Sequence, residues 1–406
     1  MYIQRASEPY IRSIADTFPV LLVTGPRQVG KTTLLKHVAE KVRGYVTLDD
    51  PLIRQLAVEE PALFLERFEA PVIIDEIQYA PGLLPYIKMR VDRGEAKGAY
   101  WLTGSQMFHL MKNVSESLAG RVGIMHLLGL SQTEISGQPS VPFLPTQAVL
   151  SGKRKVAARG TLPEVFQAIH RGSMPALYAG EPGPDIEQYY SSYVQTYLQR
   201  DIKDLSQVGD ELAFLRFLTA VAARTGQMLQ YADLGHDIGI SAPTAKQWLS
   251  LLVTSGIVCL VEPWYSNTLK RMIKAPKLYF LDTGLCAYLT RWTSPEALEA
   301  GAMSGPMFET FVVSEIMKSW HNAGKKPPVF YYRDKDKNEI DLILEVDGIL
   351  HPVEIKKSAN PGKDATAPFR FLKEAGKPLG QGAVVCCASE YLPLDAKNSI
   401  VPWWLV

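Results

Sequence analysis

The sequence predicts an α/β chain: a three-layer, parallel-sheet domain first, a helical middle, and a second α/β unit at the end. Three observations predict it. Up to about residue 130, short apolar runs alternate with amphipathic stretches. Those runs are apolar on both faces, as in strands of a parallel sheet covered by helices on either side. From about residue 300 the chain returns to alternating helix and strand patterns. With 406 residues and about 150 per domain, two to four packed units are expected.

Composition removes several classes. Hydrophobic residues make up 47% and charged residues 21%, as in ordinary globular chains rather than disordered or coiled-coil ones. Lys and Arg total 43 against 42 Asp and Glu, for a net charge of +1. A uniformly basic coat for nucleic acid is excluded, so an anionic partner must be met by local patches. The four cysteines, at 259, 286, 386 and 387, have no CxxC spacing, which fits buried, reduced thiols in a cytosolic chain. No apolar run reaches the ~20 residues of a membrane span, and the first residues lack the apolar core of a signal peptide. A cytoplasmic protein with no membrane partner is expected.

Five strands are expected at Val20 to Thr24, Tyr45 to Leu48, Val72 to Ile74, Tyr100 to Thr103 and Ile124 to Leu128. Helical patterns between them imply right-handed βαβ units. Ser136 to Lys155 turns to Pro, Gly and Ser and then to a basic GKRK, the mark of a linker or loop. Residues 160 to 208 are helical in pattern, with Tyr189, Tyr193 and Tyr197 on one helix face as a packing stripe. From Glu211 to Ala287 the pattern is three helices and then two strands. Ser241 is the N-cap of the third helix, with Pro243 in its first turn. Trp248, Leu249, Leu252 and Val253 supply its buried face, and Gly256 stops it. A hairpin from Val258 to Phe280 completes a winged-helix layout. A helix around Phe308 to Trp320 then precedes strands near 329, 340, 353 and 384. The expected units are 1–135, 136–210, 211–300 and 301–406.

Gly25 to Thr32 reads GPRQVGKT and fits GxxxxGK[ST] between a strand and a helix, the context of a phosphate loop. Gly25, Pro26, Arg27, Gln28, Val29, Gly30, Lys31, Thr32 and Thr33 are the candidate ATP cradle. Backbone N–H groups surround the phosphates, Lys31 reaches the β- and γ-phosphates, and the Thr32 hydroxyl holds Mg²⁺. The strand VIID ends in Asp75, a second Mg²⁺ ligand, and the next residue, Glu76, is the candidate general base for the attacking water. TGSQ places Ser105 or Gln106 at the sheet's carboxyl edge, to position water or form a turn. Arg121 precedes the fifth strand. It is either a solvated ion-pair partner or a residue that reaches a neighbouring subunit's nucleotide, which requires a homo-oligomer.

GPRQVGKTTLL, YVTLDDP, APVIIDEIQYAPGLLPYIK, WLTGSQ and SLAGRV, followed by RGSMPALY, YVQTYLQRDI and PKLYFLDTGL, together resemble the bacterial and archaeal AAA+ ATPases of the GPRQ-GKT type. The resemblance runs over nearly the whole chain. It implies an AAA+ module, a helical lid, a winged helix and a C-terminal domain of unknown function with a restriction-endonuclease-like fold.

Glu339 to Ser358 reads EIDLILEVDGILHPVEIKKS. Strand alternation puts Ile340, Leu342 and Leu344 on one side and Asp341 and Ile343 on the other, and Asp347-Gly348 makes the hairpin turn. Glu354 and Lys356 share a face of the return strand. Asp341 with Glu354-x-Lys356 resembles the PD-(D/E)xK nuclease signature. In such a site the carboxylates hold Mg²⁺, and Lys356 orients water and meets the developing charge. Glu309 on the preceding helix resembles the helix acid of such sites, with Glu315 as the alternative. The plain reading is a hairpin bearing solvated charges.

Lys246 and Gln247 on the third helix, with Lys270, Arg271, Lys274 and Lys277 in and after the wing, are the candidate DNA contacts. Three functions remain in play. One is an ATPase that couples hydrolysis to handling DNA, branched DNA included. The second is a slow nucleotide switch that docks protein partners, its nuclease-like unit inactive. The third is an ATP-controlled nuclease.

Overall fold

The computed structural model describes residues 2–39, 43–105, 114, 116–180, 183–198, 211–265 and 275–406, with the side chains of 197, 198 and 374 set aside. The first sheet holds β1 (Val20–Thr24), β2 (Gly44–Thr47), β3 (Val72–Asp75), β4 (Tyr100–Gly104) and β5 (Val122–His126). All its pairings are parallel, in the order β2-β3-β4-β1-β5. Alternation along β1 shows why three layers form. Val20 and Leu22 pack with Phe64, Leu84 and Ile87 on one side. Leu21 and Val23 pack with Ile11, Leu34 and Leu35 on the other. Each fully buried aliphatic side chain contributes about 1.5–3 kcal/mol.

β1 falls where the sequence predicts, but β5 begins two residues earlier than expected. The apolar run outlasts the strand, because Leu127 and Leu128 are buried in the loop that follows. The expected linker also departs from expectation. Gln147–Arg154 is a helix, with Leu150 and Lys153 buried. Burial pushes the Lys153 ammonium down to about 8, so part of the basic GKRK run faces inward.

The middle unit runs helix Glu211–Ala222, β6 (Gln227–Met228), helix Tyr231–Ile238, helix Ala242–Thr254, β7 (Val258–Val261) and β8 (Lys277–Phe280). The three strands form an antiparallel sheet, β6-β8-β7. Ser241 caps the third helix by accepting from Thr244 N–H at 3.2 Å. Trp248 packs against Phe214 and Phe217.

The last unit places helix Ser304–Asn322 against a six-stranded mixed sheet. Its strands are β9 (Val329–Arg333), β10 (Glu339–Val346), β11 (Ile349–Lys356), β12 (Gly382–Cys386), β13 (Leu392–Pro393) and β14 (Asn398–Pro402). They are ordered β13-β14-β12-β11-β10-β9. Asp347 and Gly348 take φ of 51° and 77°, the left-handed pair a two-residue hairpin turn requires. Simple alternation along β10 does not hold. Its register against β9 jumps between Ile340 and Ile343, so these two share one apolar cluster while Leu342 and Leu344 join another. A bulge of this kind shifts which face each residue serves.

The middle and last units are stitched together. Trp264 N–H donates to Tyr331 O at 2.6 Å, and Tyr331 N–H donates to Glu262 O at 3.1 Å. Among the described residues, no helix is long and apolar enough to cross a membrane.

Candidate functional site

The loop after β1 is built for a close backbone approach. Gly25, Gln28 and Gly30 take φ of 138°, 59° and 90°, and a Cβ on Gly25 would meet Leu127 O at 2.1 Å. Gly30 leads into helix Lys31–Val38, whose first N–H groups face the loop as an anion site. The Lys31 ammonium is buried and folds back to Gly25 O at 3.0 Å and Pro26 O at 2.8 Å. Those are two acceptors that phosphate oxygens could replace. Pro26 and Val29 are buried, while Gln28 and Thr33 are exposed at the rim.

β3 ends beside this loop. Thr32 Oγ1 donates to Asp75 Oδ1 at 2.8 Å, Tyr45 donates to Asp75 Oδ2 at 3.0 Å, and Thr103 also donates to Asp75 Oδ1. A hydroxyl and a carboxylate side by side are the hard oxygen donors that Mg²⁺ takes together with phosphate oxygens, so this donor set fits the ion. Glu76 takes left-handed backbone, φ 58° and ψ 49°, and is tied to β4 through its N–H to Thr103 Oγ1 at 3.1 Å. Ser105 donates to Glu76 Oε2 at 3.3 Å, and Gln78 donates to the same oxygen. Ser105 is buried. The structure therefore brings Lys31, Thr32, Asp75, Glu76 and Ser105 together; Gln106 lies outside the described residues.

The C-terminal carboxylates also gather, around a partner that sequence reasoning put elsewhere. Lys277, expected as an exposed DNA contact on the wing, has a side chain 3% exposed. Its Nζ lies 2.5 Å from Glu339, 3.1 Å from Glu309 and 4.0 Å from Asp341. Burial alone would depress this ammonium, but the Glu309, Asp341 and Glu339 carboxylates hold it above the ordinary lysine range. Tyr279 donates to Glu309 Oε1 at 2.6 Å. Lys356 Nζ sits 2.5 Å from Glu354 and 4.0 Å from Asp341, and Asp341 Oδ2 accepts from Ile355 N–H at 2.8 Å. Burial and then the neighbouring Asp341 charge raise Glu354 above its usual range, against the pull of Lys356.

The expected metal set is corrected accordingly. Among the described residues no three His, Cys, Asp or Glu side chains are arranged to hold a metal ion. Asp341, Glu354 and Glu309 do not form such a group; the Lys277 ammonium lies beside Glu309 and Asp341, and the Lys356 ammonium beside Glu354. Of the two candidate helix acids, Glu309 joins this cluster. Glu315 instead binds Lys318 at 2.8 Å and Gln132 N–H at 2.7 Å. Lys246 and Gln247 are exposed as expected, and Lys270, Arg271 and Lys274 lie outside the described residues.

Residues 17–136 match the model of an AAA domain. This unit is an AAA-type P-loop domain. Residues 162–296 match a domain of unknown function (DUF8612), and residues 304–406 match another (DUF4143). The chain is 29% identical over 359 residues to the uncharacterized proteins Mb2031c of Mycobacterium bovis and Rv2008c of Mycobacterium tuberculosis, covering 88% of this chain and 75% of each. Among solved structures it is similar to the Walker-type ATPase PABY2304 of Pyrococcus abyssi, with a TM-score of 0.41 and 15% identity over 70% of this chain and 94% of that one. A variant RuvB of Thermotoga maritima gives a TM-score of 0.30 and 16% identity over 62% and 85%.

In the AAA domain Arg121 bonds Asp92 at 2.5 Å and is one-third exposed. Its carbonyl accepts from Val20 N–H at the start of β1, so it sits at the amino edge of the sheet, opposite the P-loop. That places it at the other edge of the sheet from Lys31, Thr32 and Asp75 of its own chain.

Three features were not found from sequence. Arg5 and Glu134 form a buried ion pair beneath the P-loop. Tyr189 of helix Ile186–Tyr193 donates to Gln28 Oε1 at 2.7 Å. A cleft of about 280 Å³, lined by Tyr2, Ile3, Gln28, Gly30, Thr33 and Ala176 among others, adjoins the phosphate loop, where a planar base could lie between apolar walls. Their one signal was the RGSMPALY stretch, whose Pro175 and Ala176 line the cleft but carry no chemistry of their own.

Proposed function

We propose that this chain is a Mg²⁺-dependent ATP hydrolase whose turnover is coupled to DNA. The observation that carries the reading is the Thr32–Asp75 contact at 2.8 Å, with Glu76 the next residue and tethered to Ser105. Lys31 and the backbone N–H groups of the stretch from Arg27 to Thr33 hold the triphosphate. Thr32 and Asp75 hold Mg²⁺, which when bound neutralises β- and γ-phosphate charge. Glu76 accepts the proton of the attacking water, and Ser105 keeps the carboxylate aimed. Arg121 acts on the nucleotide of a second copy, so the working form is a homo-oligomer.

The three helices and three strands of the middle unit support a winged helix that presents Lys246 and Gln247 to DNA phosphates and groove edges. The hairpin bearing Asp341, Glu354 and Lys356, with the helix acid Glu309 behind it, supports a PD-(D/E)xK-like unit that binds branched or broken DNA. ATP turnover measured with linear, single-stranded and four-way DNA tests the coupling. DNA stimulation that falls steeply with salt supports it; turnover indifferent to every DNA form removes it.

A second reading is a nucleotide-dependent switch that docks protein partners. Lys277 favours it, because its ammonium leaves the C-terminal carboxylates without a metal-holding arrangement. Co-purification of one protein partner, with turnover blind to DNA, would select it.

A further inference from the structure

We propose that Lys277 is the resident cation of the acidic pocket in the C-terminal unit, supplied by the chain itself and excluding a divalent ion while β8 stays docked there. The proposal rests on the PD-(D/E)xK-like reading of that unit and is independent of the ATP site.

Three carboxylates, Glu309, Glu339 and Asp341, lie within 4.0 Å of one ammonium whose side chain is 3% exposed. Asp341 stands between two ammoniums, Oδ1 towards Lys277 and Oδ2 towards Lys356. A divalent ion would need several of these oxygens at about 2.0–2.6 Å. Only the Glu339 oxygen stands that near Lys277 Nζ, with Glu309 at 3.1 Å and Asp341 at 4.0 Å, and the ammonium brings a like charge to the same point, so the two occupants exclude each other. Glu354 Oε2 is buried without a hydrogen-bond partner, although the residue is only 5% exposed. That is the signature of a carboxylate with coordination capacity left over.

The plug is positioned by contacts at both ends of β8. Phe280 N–H donates to Thr225 Oγ1 at 3.2 Å, and the Thr225 and Thr310 hydroxyls meet at 2.8 Å, which ties the strand's end to the Glu309 helix. Tyr331 of β9 donates to Ala275 O just before β8, and the Trp264–Tyr331 bond holds the segment after the neighbouring β7 to the same strand. Releasing these contacts withdraws the lysine and leaves three carboxylates facing one another, the charge density that attracts a hard cation.

Free Mn²⁺, followed by its magnetic resonance signal, is titrated with nucleotide-free full-length protein. The Lys277→Met variant is expected to gain one Mn²⁺ site at least about tenfold tighter than any in the parent. Glu354→Gln in the same chain should remove it. Equal uptake by the parent and Lys277→Met overturns the proposal, as does a folded Lys277→Met that gains none. Amine acylation of the parent gives a reading that does not depend on a variant folding. Lys277 is expected to react at least about tenfold more slowly than the exposed Lys246, with or without excess Mn²⁺. Labelling as fast as Lys246, or labelling released by Mn²⁺, overturns the proposal. ATP turnover of Lys277→Met, measured alongside, should match the parent. Its absence from both chains would count against the ATPase reading and leave the Mn²⁺ result standing.

Discussion

The Arg5 guanidinium and the Glu134 carboxylate form an ion pair at 3.0 Å, their side chains only 4% and 1% exposed. The same guanidinium donates to Val29 O in the phosphate loop at 3.0 Å and to Leu128 O at 2.7 Å. Glu134 in turn accepts from Ser131 N–H at 2.8 Å and Ala6 N–H at 2.9 Å. One buried pair thus fixes the N-terminal segment, the P-loop and the turn after β5. Breaking it strands a charge, at a cost of about 3–5 kcal/mol. Arg5→Ala is expected to lose that much stability in chemical denaturation, and a loss below about 1 kcal/mol would contradict the role.

Glu76→Gln should keep nucleotide binding and lose hydrolysis. General-base catalysis contributes roughly 10²- to 10⁴-fold, and phosphate release should fall by that factor while binding of a fluorescent nucleotide stays near the parent value. Ser105→Ala, which removes one hydrogen bond to that carboxylate, should cost about tenfold in turnover. Equal losses of binding and turnover would point to a folding defect instead.

Arg121→Ala should abolish most turnover without a matching loss of stability, because an exposed pair such as that with Asp92 contributes little. A trans-acting arginine is worth roughly 10³- to 10⁵-fold. Mixing Arg121→Ala with Lys31→Ala should restore part of the activity, since each supplies what the other lacks. Full activity in Arg121→Ala would remove the trans reading.

Acid should destabilise the protein through His126. Burial, then the charges of His321 and Lys31, push its imidazole from 6.5 down to about 4. Between these values the unfolded chain binds the proton and the folded one does not. Stability is therefore fully present above 6.5 and lost as pH falls towards 4, by roughly 3 kcal/mol. His126→Gln should flatten the slope of unfolding free energy in that window. Some slope should remain from His321, which burial also lowers.

Local chemistry was the legible part of this chain. GPRQVGKT between a strand and a helix located the P-loop, and Asp347-Gly348 located a hairpin turn whose φ values are both positive. Ser241 announced its helix by its own capping side chain. Cross-unit contacts were not legible. Lys277 sits in a basic stretch that reads as a wing, and only the docking of β8 on the last sheet buries it. The bulge in β10 breaks an alternation that the residues display cleanly. Two short strands, Leu392–Pro393 and Asn398–Pro402, carry too few apolar residues to stand out. Arg5 and Tyr189 are ordinary residue types that gain meaning from partners more than 20 positions away.

The most direct measurement is ATP turnover by purified parent and Lys31→Ala chains with Mg²⁺ present. The Lys31 ammonium, now held 2.8 Å from Pro26 O, should transfer to the phosphates, so its removal is expected to reduce turnover by at least about a hundredfold. Phosphate release by Lys31→Ala at the parent's rate would contradict the account.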